Sequence, residues 1–189
     1  VRAVAELAHR HGIPLLVDGT IATPALMRPL AHGADVVIHS LSKTGGAGGC
    51  TIAGGIVARH DLVSRHLPDE VRADYALWLK LWPFRDSGPC MSAQSAYYLL
   101  NEMRTLRLKV AQMSRNTEAV AAFLAQHPKV ERVDYLGLPS HPLHGLASRY
   151  MQLVDDGAPM FGHLMSFVIN GSAADARRRT TRKAREREI

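Results

Sequence analysis

Three short apolar runs, each bounded by polar residues or glycine, set the narrowest limits on what this 189-residue chain can fold into. Leu15-Leu16-Val17 stops at Asp18, and Val36-Val37-Ile38 stops at His39-Ser40. Ala53-Gly54-Gly55-Ile56-Val57-Ala58 follows a glycine cluster. Runs this short, without alternation, read as buried strands. Between the first two, Thr23-Pro24 opens a turn, Leu26 to Leu30 makes a short helical or irregular piece, and Gly33 closes it. Strands separated by helix or turn segments predict an α/β sheet. In such sheets ligands gather at the carboxyl ends of strands, where Asp18 and Ser40 are both expected.

The rest of the chain is mainly helical in pattern. Val1, Val4, Ala5, Leu7 and Ala8 recur at helical spacing until Gly12 and Pro14 stop them. Asp61 to His66 is expected to start a helix, and Leu77 to Trp82 forms an apolar patch broken by Pro83. From Met91 to about Gln126, Tyr97, Leu100, Met103, Leu106, Val110 and Met113 form a stripe that Val120 and Phe123 continue. This predicts a core-facing surface on two helices or one kinked helix. Val130 and Val133 suggest a strand, Leu146 to Leu153 a helix, and Leu164 to Ile169 a further strand ended by Asn170-Gly171. The organisation expected is a partial cofactor domain at 1–88, a connecting helical segment at 89–127, the start of a smaller domain at 128–171, and a basic tail at 172–189.

Composition excludes several classes. With 47% hydrophobic and 21% charged residues the chain is globular, neither collagenous nor disordered throughout. No apolar run approaches the roughly 20 residues that cross a bilayer, and the first residues read as an amphipathic helix rather than a signal peptide. Cys50 and Cys90 cannot make a disulfide framework and fit reduced thiols in a cytoplasmic protein. The net charge of +6 invites a nucleic-acid partner. From Asp175 onward, however, six Arg and one Lys face three acids, leaving only +2 for the other residues. The charge belongs to the tail, for which a solvated, disordered or frameshifted end is the expectation.

The chemistry concentrates in Asp18-Gly19-Thr20 and Ser40-Leu41-Ser42-Lys43, followed by Thr44 and a run of glycines. A lysine just after a buried strand, flanked by hydroxyls and glycines, can form a Schiff base with a carbonyl cofactor once its amine is deprotonated. Ser40 and Ser42 offer hydroxyls to a phosphate, and Asp18 a carboxylate that would keep a pyridinium nitrogen protonated. A nucleotide-binding P-loop is excluded by order. There the glycines precede the Lys-Ser/Thr pair and start a helix; here they follow it and lead to a strand.

These residues carry a resemblance. Val17-Asp18-Gly19-Thr20-Ile21-Ala22-Thr23-Pro24, Arg28-Pro29-Leu30, Gly33-Ala34-Asp35-Val36-Val37 and Ile38-His39-Ser40-Leu41-Ser42-Lys43 resemble the Cys/Met-metabolism family of pyridoxal-phosphate enzymes. Gly88-Pro89, Thr105 to Lys109, His127 to Val130 and Tyr135 to Leu138 resemble it too, so the similarity runs from residue 1 to Gly171. The resemblance implies part of fold type I, with pyridoxal 5'-phosphate as cofactor and a homotetramer built as a dimer of dimers. It implies that Lys43 carries the internal aldimine and then moves protons, and that Asp18 pairs with the pyridine nitrogen. Thr20 would support Asp18, and Ser40 and Ser42 would hold the phosphate. The implied activity is transsulfuration in methionine biosynthesis: replacement at the γ carbon of an acylated homoserine by sulfide or a thiol. Elimination by a cystathionine β/γ-lyase or methionine γ-lyase is the alternative. An inactive fragment, with a tail able to touch nucleic acid, is the reading outside enzymes. Gly19 stands where the family usually has Asn, Ser42 where it has Thr, and Lys109 where it has Arg. The family's upstream glycine turn and ring-stacking tyrosine, and its substrate-binding arginine, are not found among these residues, and Arg177 to Arg187 do not replace that arginine.

Other residues suggest less. His9 and His11 face different sides of a helix, and His141 and His144 lack partners at zinc-ligand spacing, so no metal is expected. His39 reads as a packed strand-end residue and Cys50 as a buried, inert thiol. Trp78 and Trp82 read as packing or subunit-contact residues.

Overall fold

A computed structural model of the protein describes residues 1–46 and 49–171. Helix α1 (Arg2–Arg10) ends at Gly12, whose φ of 63° is the left-handed conformation that lets the chain turn into strand β1 (Leu16–Asp18). A single turn of helix, α2 (Thr23–Leu26), and a 3-10 turn at Pro29–His32 lead to β2 (Val36–Ser40). Strand β3 (Gly54–Ala58) returns beside it. The order is β1-β2-β3. β1 runs parallel to β2, with Asp18 opposite Ile38, and β3 runs antiparallel, with Gly54 opposite Ser40. The three expected strands form one sheet, and the parallel pair puts Asp18 and Ser40 at the same edge.

Asp35, just before β2, fastens this layer. It is fully buried, and its carboxylate accepts from the Leu15 N–H at 2.8 Å and lies 2.7 Å from His9 Nε2. Burying a carboxylate without such partners would be costly. The sheet is covered unevenly. Val36 and Val37, which point to opposite faces of β2, are buried, whereas Leu16, Ile38 and Ile56 on one face and Val57 on the other remain about half exposed, so the expectation of fully buried strands holds only in part on either face. The face of Ile38 and Ile56 is partly roofed by α4 (Tyr75–Leu79) and a π-helical turn at Lys80–Phe84, which follow α3 (Asp69–Ala73) and lead into α5 (Arg85–Ser87). The roof leaves an apolar cavity of about 700 Å³ whose lining includes Ile38, Ile56, Leu79 and Phe84. Residues 61–66, expected to begin a helix, form bends instead, while Pro83 lies inside the π-helical turn without ending it.

The long helical region is two helices, α6 (Ala93–Met103) and α7 (Leu106–Ala125). Ser92 caps α6 by accepting from the Ser95 N–H. The buried line differs from the sequence stripe. Leu99, Leu106, Val110, Ala111, Ser114 and Ala121 are buried, while Tyr97, Leu100 and Phe123 are about two-thirds exposed. Hydrophobicity alone favours the larger side chains, whereas close packing of α7 selects small ones. α7 packs on α2, and Ala25, Leu26, Leu106, Val110, Ala111 and Leu153 form a common core. Backbone bonds from the Gln152 N–H to the Leu26 carbonyl and from the Val154 N–H to the Ala25 carbonyl complete this junction.

Beyond α7, β4 (Val130–Asp134) pairs antiparallel with β5 (Ser166–Ile169), and α8 (His144–Tyr150) lies between them in sequence. Tyr135 follows β4 and is 2% exposed. Its hydroxyl donates to the Gly162 carbonyl at 3.0 Å. Burial, and secondarily the charge of Glu118, push the phenol up to about 12. Among the described residues no helix is long and apolar enough to cross a membrane. The segment 172–189, expected to be a disordered or frameshifted tail, lies outside the described residues.

Candidate active site

The site is assembled where β1 and β2 end. After Asp18 the backbone turns: the Gly19 N–H donates to the Ile38 carbonyl at 2.9 Å, and the Thr23 N–H returns to the Gly19 carbonyl at 2.9 Å. Asp18 caps this turn from within, its Oδ1 accepting from the Thr20 N–H at 2.9 Å. Thr20 is buried, and its Oγ1 accepts from the Ser40 N–H at 2.8 Å. One threonine therefore ties the two strand ends together. The Thr20 hydroxyl, then the Thr20 N–H and more weakly His39, hold the exposed Asp18 carboxyl below the usual carboxylate range. It remains an anion through neutral and mildly acidic pH. Thr23, three positions on, has a φ of 59° although it is β-branched and 1% exposed. Such a conformation costs about 1–3 kcal/mol and persists only where surroundings enforce it.

Gly19 has a physical reason in this chain. A Cβ there would lie 2.6 Å from His39 Cε1 and 3.0 Å from Val37 Cγ1. The buried His39 ring fills the space behind the Asp18 turn, as a packed strand-end histidine should. Burial pushes His39 below the ordinary histidine value of 6.5, while a hydrogen bond to the Gly19 backbone and the charge of Asp18 pull the other way.

Ser40 ends β2, half-buried, and its hydroxyl has no partner among the described residues. Ser42 is differently placed. Its Oγ accepts from the Ala53 N–H at 2.8 Å and donates to the Ala53 carbonyl at 3.2 Å. Its one proton is engaged, so it meets a phosphate only by turning away from Ala53. Lys43 is exposed in the following turn, its N–H bonded to the Ser40 carbonyl at 3.2 Å. The structure thus joins Asp18, Thr20 and Ser40 by a continuous path of hydrogen bonds, with Lys43 one turn away and Ser42 bracing the strands. This donor set fits pyridoxal phosphate: an ionised carboxylate, an exposed amine, and a serine hydroxyl directed to neither neighbour. The large apolar cavity is not this site, since neither Asp18 nor Lys43 lines it.

Some neighbours were not legible. Lys109 Nζ lies 3.5 Å from the Gly46 carbonyl and 3.3 Å from Glu102 Oε2, so the residue noted as replacing arginine reaches the lysine loop. Thr44 Oγ1 lies 3.1 Å from His163 Nε2. Cys50, expected to be buried, is exposed. Among the described residues, no three His, Cys, Asp or Glu gather as a metal site.

The model of the family described as "Cys/Met metabolism PLP-dependent enzyme" matches residues 1–185. The chain belongs to this family. The match continues beyond Gly171, the limit of the resemblance visible in the sequence. Among curated relatives, L-methionine gamma-lyase of Porphyromonas gingivalis is 36% identical, covering 90% of this chain and 38% of that enzyme. Probable cystathionine gamma-synthase 2 of Arabidopsis thaliana is 37% identical, covering 90% of this chain and 36% of that protein. The solved structure of cystathionine gamma synthase from Xanthomonas oryzae superposes with a TM-score of 0.76 at 32% identity, covering 93% of this chain and 40% of that one. That of a putative O-acetylhomoserine (thiol)-lyase from Campylobacter jejuni, which holds a pyridoxyl-lysine, gives 0.77 at 29% identity, covering 89% of this chain and 45% of that one. The architecture is therefore part of fold type I, and the family's cofactor is pyridoxal phosphate. The chain spans about two-fifths of the relatives it matches.

Proposed function

We propose that this chain is the lysine-bearing part of a transsulfuration enzyme that replaces the acyl group of an acylated homoserine with sulfide or a thiol at the γ carbon. What carries the reading is the hydrogen-bonded path Asp18–Thr20–Ser40, which brings a carboxylate and a hydroxyl to one strand edge beside Lys43. Asp18 holds a proton on the pyridine nitrogen, and Thr20 fixes the carboxylate that does so. Ser40 donates to the phosphate, joined by Ser42 when it turns from Ala53. When bound, pyridoxal phosphate supplies an electron sink for charge developing beside the substrate's α carbon. Lys43 Nζ gives the amine that anchors the cofactor, and once displaced it moves the proton at the substrate's α carbon. A cytoplasmic homotetramer belongs to the same proposal. The similarity to a methionine gamma-lyase favours, as second reading, elimination from methionine or cystathionine.

Borohydride trapping tests the site. The chain is incubated with pyridoxal phosphate, reduced, and its labelled peptide identified, with Lys43→Ala as control. The expected result is label concentrated on Lys43; label spread over Lys80, Lys109 and Lys129 would refute the assignment. Product analysis of the whole enzyme separates the two reactions: homocysteine from O-acetylhomoserine and sulfide supports replacement, and 2-oxobutyrate from methionine supports elimination.

A further inference from the structure

Two residues separated by 119 positions meet beside the lysine: Thr44 Oγ1 and His163 Nε2, 3.1 Å apart. The histidine end of this contact is firmly held. Gly162, next to it, is buried; its N–H donates to Ser114 Oγ at 3.2 Å, and its carbonyl accepts from the Tyr135 hydroxyl at 3.0 Å. Ser114 and Tyr135 are 3% and 2% exposed, and Ser114 sits within α7, its hydroxyl donating to the Val110 carbonyl at 2.8 Å. The threonine end is less constrained. Around Lys43 the backbone is held by local turns, with the Gly46 N–H on the Lys43 carbonyl at 3.1 Å, and by the 3.5 Å reach of Lys109.

We propose that His163 is a positioning residue for Lys43, acting through Thr44. A bond to the hydroxyl of a β-branched side chain selects its χ1 and restrains the backbone that continues into Lys43. The arrangement of the amine then depends on the segment leading into β5. This rests on the reading of Lys43 as the cofactor lysine.

The test uses the full chain, pyridoxal phosphate and borohydride, with label on Lys43 measured relative to Lys80 and Lys129 in the same sample. Thr44→Val and His163→Leu are each expected to lower that ratio about fivefold, the equivalent of a hydrogen bond of about 1 kcal/mol. The double variant should fall no further than the single ones. Thr44→Ser and His163→Gln, which keep a polar partner, should restore most of the ratio. A purely structural loss would instead lower the thermal midpoint and change all the lysines together. Unchanged ratios in both single variants, or additive losses in the double one, would overturn the proposal. No selective label on Lys43 in the unaltered chain would remove the underlying reading and this inference with it. If His163→Leu does not fold, the near-isosteric Thr44→Val decides alone.

Discussion

Replacing Gly19 by alanine tests whether His39 occupies the space behind the Asp18 turn. Gly19 does not need the left-handed conformation. An alanine there would by itself stabilise the fold by about 0.4–1 kcal/mol, through a more restricted unfolded chain. Against this, the new Cβ would lie 2.6 Å from a ring carbon of the buried His39. That is roughly 1 Å closer than carbon atoms pack, and overpacking of this kind costs about 1–3 kcal/mol. The net expectation is a loss of about 1–2 kcal/mol. In a His39→Ala background the ring is gone and only the 3.0 Å approach to Val37 Cγ1 remains, so the same substitution should cost clearly less. Urea denaturation of the four chains measures the coupling directly, expected at about 1–3 kcal/mol. At slopes of about 1–3 kcal/mol per molar urea, the Gly19→Ala midpoint moves by roughly a third of a molar or more. Effects that add to within about 0.5 kcal/mol would refute the argument, because the two side chains would then not share that volume.

The pH dependence follows from the same ring. His39 is depressed below 6.5 by burial, so the unfolded chain takes up its proton first as pH falls. Its share of stability is complete above about 6.5, declines below that value and levels off once the folded form also protonates. Urea midpoints measured from about pH 7.5 to 5 should therefore fall, and His39→Gln should flatten the fall; an unaltered slope would assign it to another group. Ser42→Ala removes the hydroxyl that bonds both the N–H and the carbonyl of Ala53, with an expected cost of about 1–2 kcal/mol. Ser42→Thr should keep the fold and the trapping of Lys43, and an unchanged midpoint in Ser42→Ala would dismiss the clamp.

The strand ends were legible because they depend on neighbours in sequence. An apolar run stopping at Asp18 and another stopping at Ser40 announce buried strands and polar loop starts without knowledge of the rest. Contacts made across the chain were not legible. Nothing local tells that Ser42 is engaged by Ala53 or that Thr44 meets His163. The direction of β3 was equally silent, since parallel and antiparallel strands share the same apolar composition. On α7 the buried line runs through Ser114 and Ala121, residues that hydrophobic spacing passes over in favour of Phe123. The bends at 61–66 follow from contacts outside the segment: the Val63 N–H approaches Asp35 Oδ1 at 3.4 Å, and the Arg65 N–H donates to the Gly12 carbonyl at 2.9 Å. Those partners draw the backbone away from helical bonding.

The junction between α2 and residues 152–154 also orders events in time. Ala25 follows the Asp18 turn closely, yet the bond that fixes its carbonyl comes from Val154, 129 positions later. At roughly 5–20 residues per second, a ribosome adds that partner about 6–26 s after Ala25. Through that interval the first two strands exist without their outer brace. The bonds that join Asp18, Thr20 and Ser40 need only residues made early, whereas the brace on α2 and the contact of Thr44 with His163 wait for the second half of the chain.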